Sequence, residues 1–196
     1  EASAAAMLAA SINYPMRGAV SWKSTVGTNV ASDALSNLAS PGVIGGALIV
    51  LGEDYGEGAS IIQERSHAFA MKSQMWLLDP RPNLPTIVRM VEKGFELSEA
   101  SNTPVFMQLR VRACHLRGSF IASDNRTPAI STRKLLSGAA QFDYERLAHP
   151  PATFRQEKLK AGVRLPAARK FILENGINEA FAGTETGVGI ICQGGL

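Results

Sequence analysis

Apolar positions fall into short runs that glycine and proline separate. Residues 2–11 are dense in alanine, with Met7 and Leu8 among them, which predicts a buried helix with close neighbours. Residues 18–23, GAVSWK, predict a short strand, and residues 24–28 a polar loop containing glycine. Asn29 or Ser32 caps a predicted helix through Ala39, which Pro41-Gly42 stops. Residues 47–51 are uninterruptedly apolar between glycines, the pattern of a parallel strand covered on both faces. A helix is predicted over about 61–71 and a strand over 76–78, ending at Asp79-Pro80. A further helix spans about 86–100, with Ile87, Met90, Val91, Gly94, Phe95 and Leu97 as its apolar face. The turn Asn102-Thr103-Pro104 then leads into a strand at 105–111.

This alternation of helix and strand with short connections predicts an α/β fold, an open and mostly parallel sheet with helices on both faces. Ligands of such sheets collect beyond the carboxyl ends of the strands. The informative loops are therefore those after Lys23, Leu51, Leu78 and Val111. Beyond Arg117 the pattern loosens, with Pro128, Pro150, Pro151 and Pro166 and a run of basic residues from Arg155 to Lys170. That stretch reads as an extended connector with one or two amphipathic helices. Residues 188–192, VGIIC, then read as the first strand of a further domain. The expected division is 1–118, an α/β domain, 119–183, the connector, and 184–196, the start of another α/β domain.

Composition narrows the function classes. With 45% of 196 residues apolar, the chain has material for a sizeable core and is not disordered throughout. A net charge of +3, with no aromatic ladder beside the basic residues, argues against nucleic acid as a partner. The longest apolar run is strand-sized, far short of the roughly 20 residues of a membrane helix. Without a signal peptide or lipidation motif, a cytoplasmic location and no membrane partner are expected. Cys114 and Cys192 alone make neither a disulfide scaffold, a four-ligand zinc site nor an iron–sulfur cluster. The opening on Glu1 inside a helical stretch, and the end just after an apolar run, read as a piece of a longer protein.

Several residues carry candidate chemistry. Glu1 heads the alanine-rich helix: it is either a solvated terminal side chain or a buried acid able to exchange a proton with a ligand nitrogen. The segment GEDYGEG at 52–58 places three carboxylates in five positions, suited to Mg²⁺ or a cofactor amine, or simply to solvent. It has neither dinucleotide nor P-loop spacing. Arg110, Arg112, His115 and Arg117 straddle a strand end, and Arg110 and Arg112 share one face if the strand extends that far. They suit either a carboxylate or phosphate, or solvent and a neighbouring subunit. Lys23, Ser24, Asn29, Gln63 and His67 are polar groups in or beside the same loops. His67, His115 and His149 lack metal-ligand spacing, and no serine sits in a nucleophile elbow.

The segments KSTVGTNVASDALSNLAS, GGALIVLGEDYGEG, QERSHAFAMKSQMWLLDP, VEKGFELSEASNTPVFMQLRVRACHLRG and VGIICQGGL together resemble the thiamine-diphosphate-dependent 2-oxoacid:ferredoxin oxidoreductases, and among them the indolepyruvate ferredoxin oxidoreductases. The resemblance covers 1–118 and about 187–196. It implies a pyrimidine-binding domain lacking its first strand, and an enzyme converting aryl 2-oxoacids such as indolepyruvate to acyl-CoA and CO₂. The substrates and partners so implied are a 2-oxoacid, coenzyme A and ferredoxin, with other domains or subunits completing the site. The implied cofactor is thiamine diphosphate, with Mg²⁺ and iron–sulfur clusters on parts outside this chain and no metal ligand within it.

Glu1 matches the glutamate that such enzymes carry at the head of the helix after the second strand. Bonded to N1′ of the aminopyrimidine, that carboxyl favours the imino tautomer that removes the thiazolium C2 proton. Glu53 and Asp54 match an acidic pair near the cofactor. Lys23, Gly27 and Asn29 match a K-x-V-G-x-N-V loop that here contains one extra residue, Ser24 or Thr25. Arg112 and His115 match an R-x-x-H available to substrate or an interface. Where many relatives have histidine-serine-serine, this chain has Gly58, Ala59 and Ser60, so His67 does not inherit that histidine's role. Two other readings stand beside this one, a non-oxidative thiamine-dependent decarboxylase and a non-catalytic α/β assembly subunit.

Overall fold

The computed structural model describes residues 1–54, 63, 65–125 and 142–195. Most of the predicted acidic loop, including Tyr55 to Gly58, and the start of the helix predicted at 61–71 lie outside the described residues. Four strands, β1 (Gly18–Lys23), β2 (Ala47–Glu53), β3 (Trp76–Leu78) and β4 (Val105–Arg110), form one parallel sheet in the order β1-β2-β4-β3. The helices of its two layers are α1 (Ala2–Leu8), α2 (Ser24–Val30), α3 (Ser32–Ala39), α4 (His67–Ser73) and α5 (Leu84–Ser101).

Period-two alternation along β2 and β4 sorts side chains into two cores. Ile49, Leu51 and Phe106 pack with Ala5 and Leu8 of α1 and Leu35 and Leu38 of α3. Leu48, Val105 and Met107 pack on the other face with Met90 and Leu97 of α5. The result is the α/β layering that the sequence pattern predicts. Asn83 caps α5 by accepting a hydrogen bond from the Thr86 amide (3.0 Å), and Asn102 ends it in the left-handed region at φ 48°.

Three local expectations are corrected. The loop predicted at 24–28 is helix α2, because a close tertiary fit overrides poor propensity. Gly27 lies against the Trp22 indole, where a Cβ would approach within 2.3 Å, and Trp22 Nε1 donates to Thr28 Oγ1 (3.1 Å). The strand predicted through 111 stops at Arg110 and turns into a short helix, α6 (Val111–Cys114), so Arg110 and Arg112 share no strand face. Residues 188–192 take no strand conformation here, and Val188, Ile190 and Ile191 are exposed.

From Ala152 to Glu174 the connector is more helical than its prolines suggest. α7 (Ala152–Leu159), a π-helical segment (Lys160–Arg164) and α8 (Leu165–Glu174) follow one another without a break. Ala168 joins the core under α5. Arg164, buried at the end of the π segment, donates to the carbonyls of Ser40 (3.1 Å) and Pro41 (2.8 Å) and to Gln156. A cation at the carbonyl end of α3 satisfies acceptors that the helix itself leaves open. Burial, with repulsion from Arg146, pulls this guanidinium down to about 10 against the opposing influence of Glu157.

Arg164→Met should therefore destabilise the chain by about 2–4 kcal/mol, since several buried acceptors lose their donor at once. Urea unfolding measures this. Arg164→Lys should recover less than half of the loss, because an ammonium cannot reach the same carbonyls as a fork.

Candidate functional site

Because the strands are parallel, Lys23, Glu53, Leu78 and Arg110 all finish at one edge of the sheet. Leu8, the last residue of α1, packs over Gly18, the first of β1. The helix therefore starts at the opposite edge, and topology places Glu1 at the same end as Lys23. The expected burial of Glu1 is not found. Its side chain is exposed and makes no capping hydrogen bond. A seven-residue helix hides a single stripe, and here Ala5 and Leu8 occupy it.

The buried acid is Glu53. It is the last residue of β2, 1% exposed, with neither carboxylate oxygen in a hydrogen bond. Burial pushes its carboxyl above the usual range, and the negative charge of Asp54 adds to this. The Ser66 hydroxyl and amide and the Ser24 hydroxyl stand near enough to oppose the rise, yet Ser24 Oγ and Ser66 Oγ also lack hydrogen-bond geometry. Asp54 is buried and binds Lys23 Nζ through Oδ2 at 3.1 Å, while its Oδ1 has no hydrogen-bond partner. Lys23 is half-exposed at the end of β1, so this pair faces solvent on one side.

A second polar cluster sits at the ends of β3 and β4. Arg110, also buried, donates through one nitrogen to Asp79 Oδ2 (3.0 Å) and to Gln193 Oε1 (2.8 Å). The Gln193 amide in turn lies 2.9 Å from His67 Nε2. Gly194 and Gly195 press so closely on Asp79 and Arg110 that a Cβ at either would clash. Arg112 and His115 are exposed on and just after α6, and Asn29 is exposed on α2. Gly27 is buried against Trp22 instead of lining an open loop.

The structure thus brings Lys23, Glu53 and Asp54 together and adds Ser24 and Ser66. It leaves Arg112, His115 and Asn29 outside this cluster. Ser66, Asp79 and Gln193 escaped sequence reasoning. The DP pair that ends β3 marked the strand end, but nothing in the pattern ties Gln193 to it. An apolar cavity of about 490 Å³ lies apart from the carboxylates, between α4, β3 and the connector helices, lined by Met71, Met75, Trp76, Leu77 and Leu165 with His67 and Lys160 among its polar groups. Among the described residues no group of three or more His, Cys, Asp or Glu side chains could hold a metal ion. No helix among them is long and apolar enough to cross a membrane.

No protein-family model matches the chain. It is 28% identical over 172 residues to the indolepyruvate oxidoreductase subunit IorA of Methanothermobacter thermautotrophicus, an alignment covering 87% of this chain and 26% of that protein. The subunit of the same name from Methanothermobacter marburgensis is 26% identical over 171 residues, again 87% of this chain and 26% of the relative. The Pyrococcus horikoshii subunit is 27% identical over 99 residues, covering 50% of this chain and 15% of the relative. The chain therefore has a distant likeness to these subunits and spans about a quarter of the length of the first two.

Glu53 makes stability depend on pH with a definite sign. A carboxyl whose folded value is raised holds its proton more tightly in the fold than in the unfolded chain. Its contribution is complete below the ordinary carboxyl range and is lost as pH rises through the raised value. Wild type should lose stability relative to Glu53→Gln as pH rises from the ordinary carboxyl range through the raised value. Parallel urea titrations of the two proteins measure the difference.

Proposed function

We propose that this chain contributes to the thiamine-diphosphate site of a 2-oxoacid:ferredoxin oxidoreductase acting on aryl 2-oxoacids such as indolepyruvate. The products are the acyl-CoA and CO₂, and electrons pass through iron–sulfur clusters to ferredoxin. The observation that carries this reading is the likeness to IorA subunits along 87% of the chain, on a parallel sheet with an acidic pair at the end of a central strand. Residues 1–118 are the pyrimidine-binding part and 119–183 a connector. Mg²⁺ and the clusters belong to parts beyond these residues.

The residues fit the cofactor's demands at two points. An aminopyrimidine needs a carboxyl that can reach its ring nitrogen, and Glu1 has an exposed side chain engaged in no cap at the ligand-binding edge of the sheet. It also needs polar company on that edge, which the half-exposed Lys23 and its partner Asp54 supply. When bound, thiamine diphosphate supplies a thiazolium that accepts the electron pair released as the 2-oxoacid loses its carboxylate. Glu1 would hold a proton at the ring nitrogen of the aminopyrimidine. Asp54, paired with Lys23, would give that edge its polar lining with the buried Glu53 carboxyl behind it, and Asn29 and Gly27 shape α2 beside Lys23. Arg112 and His115, exposed, serve the substrate carboxylate or the contact with the completing domain.

Glu1→Gln in the holoenzyme should slow both C2 hydrogen–deuterium exchange and substrate-dependent ferredoxin reduction by about 10²–10⁴-fold. Because Glu1 is exposed, the melting temperature of this chain should not change. Wild-type rates in both assays would remove Glu1 from the reaction.

A further inference from the structure

Two uncommon stretches of backbone line the same apolar cavity of about 490 Å³. Gln74, which ends α4, lies in the left-handed region at φ 54° and ψ 43°, where a long side chain is rarely found. Lys160–Arg164 form a π-helical turn, a conformation that is rare and concentrated at functional sites. Gln74, Lys160, Ala161 and Arg164 all line the cavity. The rest of the wall is largely apolar. Met71 is 80% exposed, and Trp76 and Leu77 of the edge strand β3 are only half-buried, so the empty cavity leaves apolar surface to water. Its size falls within the roughly 300–1,000 Å³ of small-molecule sites, which pair such a lining with a few polar groups.

We propose that this cavity binds an apolar monocarboxylate, with Lys160 as the partner of its carboxylate. The charged groups of the lining are Lys160, Arg164 and Glu157, two cations against one anion. His67 adds no charge in this arrangement. The Gln193 amide nitrogen 2.9 Å from its Nε2 can only donate, so that ring nitrogen accepts. Arg164 spends its donors on the carbonyls of Ser40 and Pro41 and on Gln156. Lys160 is held more loosely. Its side chain is 16% exposed, and its ammonium lies 3.3 Å from Glu157, whose side chain is 57% exposed. Such a pair is weak, and water still serves Glu157 if the lysine turns to a ligand. One carboxylate answers the excess positive charge, whereas a dianion would leave charge uncompensated beside apolar walls. The site does not rest on the thiamine reading, because it runs along α4 from His67 to Gln74 and Thr103, just before β4, at the end of the sheet opposite Glu53. An occupant would touch both the sheet body and the connector, adding to the hold of Arg164 between them.

The test uses the full 196-residue chain and ω-bromoundecanoate, whose bromine quenches indole on contact, kept below micelle-forming concentrations. Trp76 lines the cavity, whereas Trp22 packs in the core from β1, at the other edge of the sheet. Quenching should therefore be partial and saturable, should vanish in Trp76→Phe, and should be accompanied by a saturable rise in melting temperature. Lys160→Met, which keeps an apolar stem, should weaken the acid about tenfold and leave ω-bromoundecanol unaffected. Lys170→Met, an exposed change on α8, should alter neither. Ala161→Phe should abolish binding by filling the cavity, with circular dichroism checking the fold; if that variant does not fold, the Lys160→Met comparison still decides. Competition by decanoate and by naphthylacetate tells a straight-chain acid from an aryl acid, whichever displaces the probe at the lower concentration. Three results would overturn the proposal. Equal affinity for acid and alcohol, unchanged in Lys160→Met, removes the carboxylate. Quenching that survives Ala161→Phe or resists both competitors is adsorption to the surface. No saturable quenching means that the cavity takes no such ligand, and sedimentation then shows whether a second copy seals it.

Discussion

β2 and β4 can be covered by helices on both faces only because each finds its backbone partners on both sides within the sheet. β2 pairs with β1 and β4, and β4 with β2 and β3. Every peptide group in the middle of the layer is thereby satisfied without water, and the side chains on either face are free to be wholly apolar. The same constraint confines charge to the strand ends, and the polar side chain buried in the middle of β4, Gln108, is neutral. Charges sit at the strand ends, with Lys23, Glu53 and Arg110 the last residues of β1, β2 and β4 and Asp54 and Asp79 just past β2 and β3. The functional edge is thus a consequence of how the core is closed.

Two neighbouring arrangements at that edge show different ways of holding charge out of water. The Arg110–Asp79 pair is compensated by direct contact and extended by Gln193, a residue far along the chain. Glu53, in register with Arg110 on the adjacent strand, has no such contact and instead holds its proton more tightly. Asp54 lies between these extremes, buried but tied to a lysine that still touches solvent. A ligand arriving at the edge meets three carboxylates in three electrostatic conditions. Lys23, half-exposed, remains in reach of solvent.

Much of the fold was legible in the sequence because periodicity and punctuation agree there. Ile49, Leu51, Leu48 and Met107 advertise strands buried on both faces, and Asn83 and Asn102 bracket α5 with residues suited to its ends. The misreadings come where tertiary contact outweighs local preference. Ser24–Val30 contains glycine, threonine and valine and reads as a loop, but the Trp22 ring fits against Gly27 and steadies a helix. Within the site, Lys23, Glu53 and Asp54 were visible as charges at strand ends. The alanine-rich helix pointed to a hidden carboxyl at Glu1, whereas the hidden one is Glu53. Density of small residues reports how closely a helix packs; it does not say which end is covered. Ser66 and Gln193 carry no sequence signature, since their significance comes only from what lies beside them in space.

The clasp made by Arg164 spans 123 residues to Pro41 and 124 to Ser40. During synthesis the carbonyl end of α3 leaves the ribosome long before its guanidinium does, so those oxygens are first solvated by water. Closing so large a loop costs entropy that shorter contacts in the sheet do not incur. The sheet and its two cores make their contacts without this clasp, and docking of the connector exchanges water at a helix end for a buried arginine. A chain cut before residue 164 would leave that helix end open to water.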